Sequence, residues 1–445
     1  MAGGTWTSQN KVRPGVYIRF KSVNSGGLVV GERGVVTIAK PMSWGPVGQV
    51  TAVEAGQNLI PVTGYDITSP NNRFLNEIFK GSNRTPAPRR VLLYRLTSTG
   101  AVQSSATIGE LTVTAKYPGT RGNDITVVIT EETDNTFTVS TVVENEVVDR
   151  QEGIAAISSI QANDWVTWSG TGEISATTGA TLTGGLDGTV GAAAYTSYLS
   201  AIEPYQFDVM IYDGGEASVM DAMVAFIKRI ADESGTYSQL VASGFSTNPD
   251  SRFVVNVMSG VTLGDGTILT PAHTTWWAGG ALAGAPYNQS LTYASYPGAV
   301  SVSPLLTNSQ YVEALNAGQF VLFSENGTVK VEQDINTLVT YTKDIGKVFH
   351  KNRVMRLCNT IANDIYAQFS ANFIGVVNNN EQGRSRFKGA IVGYLLDIQA
   401  NQGIQNFDPA DVEVLPGADI DSILINLAIQ VVDSVEKIYM TVEVS

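Results

Sequence analysis

The sequence has almost no histidine or cysteine, the residues on which many catalytic and metal sites depend. Two histidines and one cysteine, Cys358, occur among 445 residues. One cysteine excludes a disulfide within the chain, and three scattered ligands do not suit a zinc site. A Ser-His-Asp triad would need His273 or His350 with a G-x-S-x-G elbow, and no such pentad occurs. We therefore expect a protein that is not an enzyme and holds neither metal nor cofactor.

Charged side chains are also scarce. They make up 16% of the chain, with a net charge of −13, whereas about a quarter is usual for a globular protein. Proteins that bind nucleic acid along much of their surface are normally basic, so we expect no nucleic-acid partner. A globular chain with few charges and 44 glycines often covers part of its surface with other copies of itself. The composition therefore points towards assembly.

No long apolar run is present either. No stretch reaches the roughly 18 apolar residues of a membrane helix, and the first residues, MAGGTWTSQNK, lack the apolar core of a signal peptide. We expect no direct membrane insertion and synthesis in a cytoplasm. Hydrophobic residues nevertheless reach 43%, which is enough for a substantial core.

Hydrophobic periodicity divides most of the chain into two kinds of sequence. Residues 96–190 are rich in Thr, Val and Ser, and runs such as LTVTAKYPGT and DITVVIT alternate at period two. That pattern predicts an inserted all-β domain, a sandwich or barrel. The flanking residues 28–95 and 191–340 alternate apolar strands with helical periods, which predicts an α/β core domain. The expected fold class is therefore multidomain α+β.

The sequence changes again at residue 341. The run KDIGKVFHKNRVMRLCNTIANDIYAQFSANFIG, which starts at Lys343, keeps a period near 3.6 and predicts one long helix. We assign 341–434 to a C-terminal α/β domain. The start of the predicted helix carries the basic residues Lys343, Lys347, Lys351, Arg353 and Arg356. Lysines four apart share a helix face. This face is a solvated surface, a docking face for an acidic partner, or a nucleic-acid contact, which the lack of interleaved aromatic residues disfavours.

Both ends of the chain read as strands that have no neighbour in the sequence. Near the start, VYIRF alternates Val16, Ile18 and Phe20 with residues such as Tyr17, between a polar beginning and flexible glycines. The other end alternates in the same way, with Ile438, Met440, Val442 and Val444 on one face. We assign 1–27 and 435–445 to two arms, and we expect both strands to pair outside their own subunit.

Several stretches, taken in order, resemble one known family. PGVYIRF, GERGVVTIAKPMSWGP, AKYPGTRGNDITVVI, LTGGLDGT, TWWAGGALAGAP, KDIGKVFHKNRVMR and the terminal VEKIYMTVEV are similar to the sheath proteins of contractile phage tails and of phage-tail-like bacteriocins. The likeness spans nearly the whole chain. It is greatest to the shorter sheath proteins of phages and prophages of Gram-positive bacteria.

The resemblance implies a structural role without catalysis. Subunits of such a sheath form hexameric rings stacked helically around a tail tube, and the sheath contracts to drive the tube through the bacterial envelope. The implied partners are other copies of the chain, the tail tube protein, and the baseplate and tail terminator proteins. Both arms would join neighbouring subunits, and the basic helix would face the tube. The protein would reside in a virion tail or phage-tail-like particle after assembly in the host cytoplasm.

Other functions remain open from the sequence. Another structural protein of the tail or baseplate is one of them, although tube proteins are usually shorter and mostly β. A glycan-binding β-domain adhesin is another, suggested by Trp165 and Trp168 in the Thr-rich insert. A hydrolase on the α/β core is disfavoured by the missing elbow.

Overall fold

The computed structural model describes residues 30–444, together with the backbone of the two-residue strands Gly3–Gly4 and Val16–Tyr17. The described residues form two compact units. The larger one comprises residues 31–363 and 431–444, and the smaller one comprises residues 364–430. The protein is a multidomain α+β chain, as the sequence predicts, and the two units are described in turn.

One seven-stranded sheet lies at the centre of the larger unit. From edge to edge its strands are Gln319–Phe320, Val254–Val257, Gln239–Ala242, Val209–Ile211, Val35–Lys40, Arg90–Arg95 and Val50–Glu54. All neighbours are parallel except the last pair, which is antiparallel. Strands from both sides of the predicted insert therefore form a single sheet.

Helices cover both faces of this sheet, as a mostly parallel sheet requires. One face carries the helices Arg73–Ile78 and Pro271–Gly284, and the other carries Ala192–Ile202 and Ala217–Arg229. Consecutive strand residues point to opposite faces. Accordingly, Val36 lies in the first hydrophobic core and Val35 in the second. The apolar runs of these strands follow from burial on both sides.

Glycines let helix Pro271–Gly284 lie close against its neighbours. A Cβ added to Gly279 would come within 2.4 Å of the Ile211 side chain, and one added to Gly280 would come within 2.1 Å of the carbonyl oxygen of Ile78. The small residues of this helix therefore serve packing.

Residues 105–181 form a β-sandwich. One sheet has the order Glu146–Ile154, Phe137–Val143, Ile125–Glu131 and Thr177–Thr181, and the other has the order Val166–Gly170, Leu111–Ala115 and Ser105–Ile108. Every pair is antiparallel. Side chains of both sheets, such as Val113 and Val127, share one core with Trp165. The prediction of an all-β region with a sandwich or barrel is confirmed as a sandwich.

Smaller elements complete the larger unit. These are the helices Ile60–Thr63 and Asn308–Asn316, the three-stranded sheet of Gly260–Leu263, Ile268–Leu269 and Ala299–Ser303, and the hairpin Leu322–Glu325 with Thr328–Val331. The turn of the hairpin has φ of 51° at Asn326 and 73° at Gly327. Positive φ at both central residues suits the tight hairpin turn for which Asn-Gly is the strongest short-range sequence signal.

The smaller unit combines helix and hairpin. Its helices are residues 364–372 of Asn352–Asn372 and the whole of Glu381–Ala400; its strands are Ile404–Gln405, Val412–Pro416, Ile423–Leu427 and the first residue of Gln430–Val431. Phe369 and Phe373 of the first helix pack against Phe387 of the second, with ring centroids 4.6 and 4.9 Å apart. Val412–Pro416 and Ile423–Leu427 pair as an antiparallel ribbon.

One prediction about the C-terminal third is wrong. The long helix begins at Asn352 and not at Lys343, because a 3-10 turn, Lys347–His350, and an extended Lys351 precede it. Lys351 has φ −87° and ψ 125° and bridges to Ile335. Residues 432–444 have no strand structure within the single described chain. The predicted C-terminal strand, which we expect to pair with a neighbouring subunit, therefore stays a prediction.

None of the helices among the described residues has the length and apolar character needed to cross a bilayer.

Candidate functional site

The last described residues of the chain carry a row of highly exposed apolar side chains. Ile438, Met440, Val442 and Val444 are 82%, 79%, 71% and 92% exposed, although all four are apolar. Tyr439 between them is 90% exposed. A contiguous exposed apolar stretch is uncommon on a soluble monomer and is typical of an interaction surface.

Glu436 connects this segment to the rest of the larger unit. One carboxylate oxygen, Oε1, accepts a hydrogen bond from the Thr292 hydroxyl at 2.8 Å. The other, Oε2, accepts one from Gln333 Nε2 at 2.7 Å and forms an ion pair with the Lys351 ammonium group. The Glu436 side chain is 11% exposed and that of Lys351 is 20% exposed. Three separate segments of the chain therefore hold one carboxylate.

A buried ion pair lies beneath this contact. Arg356 Nη2 is 2.6 Å from Asp334 Oδ2, and each side chain is 1% exposed. Asp334 also accepts hydrogen bonds from the Leu291 N–H at 2.9 Å and from Asn352 Nδ2 at 3.0 Å. The Asp334 N–H in turn donates to the Thr292 hydroxyl at 3.0 Å. Thr292 thus connects Glu436 to a polar network inside the core.

The structure separates the five predicted basic residues. Lys343 and Lys347 are exposed, whereas Arg353 and Arg356 are buried. Burial lowers the pKa of Arg353, whose guanidinium lies 4.0 Å from Asp433. With Lys351 paired to Glu436, the prediction of one basic helix face is wrong, because the helix starts after Lys351 and its first arginines point inwards. A tube-facing role stays a prediction, and only for Lys343 and Lys347.

A groove of about 690 Å³ lies beside Glu436, and its lining includes Leu315, Tyr341 and Lys347. His350 also borders the groove, with Nδ1 2.6 Å from the Leu338 carbonyl oxygen. Burial lowers the pKa of this histidine. The described residues contain no cluster of three or more groups that could hold a metal ion.

The N-terminal strand is described only in part. The backbone of Val16–Tyr17 pairs in parallel with Gly3–Gly4 of the same chain, a partner that the sequence does not predict. Ile18 and Phe20 lie outside the described residues. The pairing of the two arms with neighbouring subunits stays a prediction.

The ribbon of the smaller unit offers unpaired backbone. Val412–Pro416 and Ile423–Leu427 pair only with each other among the described residues, so each has one free edge. Leu424 on this ribbon is 53% exposed and Ile420 in its turn is 96% exposed. A free edge next to exposed apolar side chains suits the addition of a further strand.

Sequence reasoning missed the residues that hold the C-terminal segment. Thr292, Gln333 and Asp334 carry no local pattern that marks them. Glu436 carries a weak pattern. It lies two residues before Ile438, so it shares a face of the predicted strand with the apolar residues and is the charged residue on that face.

Comparison with known families covers nearly the whole chain. The models that match are the tail sheath protein Gp18 domain III N-terminal region (33–96), the phage tail sheath protein beta-sandwich domain (98–187), the phage tail sheath protein central domain (188–337) and the phage tail sheath C-terminal domain (344–445). They follow one another in chain order with short gaps.

Individual relatives agree with these matches. A sheath tail protein of Desulfitobacterium hafniense is 41% identical, covers 96% of this chain and 99% of its own, and superposes with a TM-score of 0.85. The phage-like element PBSX protein XkdK of Bacillus subtilis is 34% identical over 100% of both chains. The contracted helical sheath of the anti-feeding prophage shares the fold, with a TM-score of 0.59 at 13% identity and coverage of 97% and 99%. The chain therefore belongs to the phage tail sheath protein family and has a structural role in a tail sheath.

Proposed function

We propose that this chain is the repeating subunit of a contractile sheath, which polymerises as stacked hexameric rings around a tail tube. The observation that carries the proposal is the row of exposed apolar side chains from Ile438 to Val444, which has no partner strand within the described chain. An alternating strand of this kind is stabilised by pairing with a sheet edge on another molecule. Left unpaired, it would promote aggregation.

The acceptor we propose is the free edge of the ribbon Val412–Pro416 with Ile423–Leu427 in a neighbouring subunit. Strand addition there would satisfy backbone N–H and C=O groups on both molecules and bury Leu424. The N-terminal strand with Val16, Tyr17, Ile18 and Phe20 would provide a second such connection. Arms on both ends would link each subunit to more than one neighbour, which turns rings into a continuous mesh.

A mesh of this kind can contract without a nucleotide. A lattice assembled on a tube and baseplate can be held in a metastable arrangement, and contraction then releases it through small gains at many interfaces. Exchanged strands would keep the subunits connected while the domains rotate. In this proposal the particle is a virion tail or a phage-tail-like particle, and its partners are the tail tube, baseplate and tail terminator proteins.

Each domain would then have its own position in the sheath. The core domain, 28–95 with 191–340, would form the body of the ring. The inserted sandwich, 96–190, would lie outermost, and the C-terminal domain, 341–434, would face the tube. Lys343 and Lys347 would supply weak, screened contacts to an acidic tube surface.

Electron microscopy of the purified protein, alone and with its tube protein, tests the proposal. We expect stacked rings or long tubes. A version that ends at Lys437 should remain a folded monomer that forms no polymer. Ordered sheath from that shortened chain would overturn strand exchange at the C-terminus, and a monomer at all concentrations for the full chain, with or without the tube, would overturn the sheath role.

A further inference from the structure

Exposure along the C-terminal segment changes abruptly at one residue. Val432, Ser434 and Glu436 are partly buried, whereas every residue from Lys437 to Val444 is exposed. The three contacts of Glu436 with Thr292, Gln333 and Lys351 lie at this boundary. Upstream of it the segment belongs to its own subunit, and downstream it extends into solvent.

The burial pattern before the boundary has a period of two. Val432, Ser434 and Glu436 are partly buried, whereas Asp433, Val435 and Lys437 are exposed, although Asp433 still approaches the buried Arg353 to 4.0 Å. Period two is the signature of extended backbone. Ile438 and the alternate residues after it continue the row of Glu436. A shift by one residue would exchange the two faces.

We propose that Glu436 is the anchor at which the C-terminal segment stays fixed to its own subunit, and that it determines which face of the following strand meets the neighbour. This inference rests on the proposed strand exchange. The contacts of Glu436 are strong, because its carboxylate is largely buried and accepts charge-assisted hydrogen bonds. It is also rigid, because Thr292 connects it to the buried Asp334–Arg356 pair.

Insertions after Lys437 test directly whether Glu436 determines which face of the strand meets the neighbouring subunit. One inserted alanine turns the apolar row of Ile438 to the opposite side of the strand. Two inserted residues, alanine and threonine, restore the side and shift the row by about 6.6 Å along the strand. With Glu436 intact, we expect the single insertion to lower the polymer yield at least tenfold relative to the double insertion. In a Glu436→Ala background, the two insertions should differ by less than twofold.

Equal yields from the two insertions with Glu436 intact would overturn the inference. The shortened chain that ends at Lys437 separates this result from a failure of strand exchange itself. If that chain forms no polymer while both insertions behave alike, strand exchange stands and the anchor does not. If it polymerises normally, the proposed exchange is wrong.

Amide hydrogen exchange tests the anchor independently of polymer yield. Glu436→Gln removes the charge and keeps the shape, and we expect exchange of the amides of 432–436 to accelerate about tenfold in the full-length subunit. The matched control, Glu443→Gln, alters an exposed glutamate of the same segment and should leave these amides unchanged. In the polymer, the same amides should keep the protection that they have in the free subunit. Loss of their protection on assembly would show that the whole segment leaves, against the inference.

Discussion

Asp334 and Arg356 form an ion pair with an oxygen-to-nitrogen distance of 2.6 Å, and each side chain is 1% exposed. A pair buried to this degree is costly to break, because the remaining partner keeps an uncompensated charge in the interior. We expect Asp334→Asn to lower the free energy of unfolding by about 3–5 kcal/mol, measured by urea denaturation.

The matched control for that change is an exposed ion pair. Lys330 and Glu325 lie 2.6 Å apart, with side chains 26% and 52% exposed. Lys330→Met should cost about 1 kcal/mol or less, because water screens the pair. Similar losses for the two variants would contradict the structural role assigned to Asp334.

Two helical glycines should respond to alanine in opposite directions. Gly279 is buried, and an added Cβ would meet the Ile211 side chain at 2.4 Å, so Gly279→Ala should destabilise the fold by about 1–3 kcal/mol. Gly389 in helix Glu381–Ala400 has nothing within 4 Å of an added Cβ. Gly389→Ala should therefore stabilise its helix by about 0.5–1 kcal/mol. Thermal midpoints of the two variants check both signs, and a loss at Gly389 would be the contrary result.

The apolar row at the C-terminus should matter for assembly and not for folding. Ile438→Asp with Val442→Asp places two charges on the proposed buried face, and we expect the concentration needed for polymerisation to rise at least tenfold. The control, Tyr439→Asp with Thr441→Asp, adds the same charges to the opposite face and should raise it much less. Sedimentation measures the polymer, and circular dichroism of the monomers should be unchanged in both. Equal effects on assembly would mean that the strand has no preferred face.

Stability should depend on pH through His350. Burial lowers the pKa of its ring below the usual value of 6.5, so the unfolded chain binds a proton at a higher pH than the folded one. The free energy of unfolding should therefore fall as the pH drops below 6.5, by up to about 1.4 kcal/mol per pH unit for one group. Above that pH this contribution is constant.

The variant His350→Asn keeps a donor for the Leu338 carbonyl and removes the titration. It should flatten the decline between pH 6.5 and 5, measured by denaturation at several pH values. His273, whose pKa is also lowered by burial, serves as the comparison, and His273→Asn should remove a separate part of the slope. An unchanged slope in His350→Asn would show that its protonation is not coupled to folding.

Local periodicity was sufficient for much of the fold and insufficient for the site. Alternation at period two predicts the β-sandwich, and the Asn326-Gly327 turn predicts its hairpin, because these features depend on neighbours in sequence. The contact between Glu436 and Lys351 joins residues 85 apart, and no local pattern contains it. The predicted helix start is wrong for a related reason. The apolar residues before Asn352 fit a helical period, but the bridge from Lys351 to Ile335 keeps that part of the backbone extended.

Of the five basic residues predicted to face the tube, Lys343 and Lys347 have exposed side chains. If they contact an acidic tube, Lys343→Glu with Lys347→Glu should weaken co-sedimentation with tubes several-fold while polymer formed without tubes is unchanged. The effect should shrink as salt rises, because exposed charge pairs are screened within about 8–10 Å at physiological ionic strength. Lys228→Glu, at an exposed position on helix Ala217–Arg229, is the control for added negative charge. Equal losses with and without tubes would place the two lysines at contacts between sheath subunits instead.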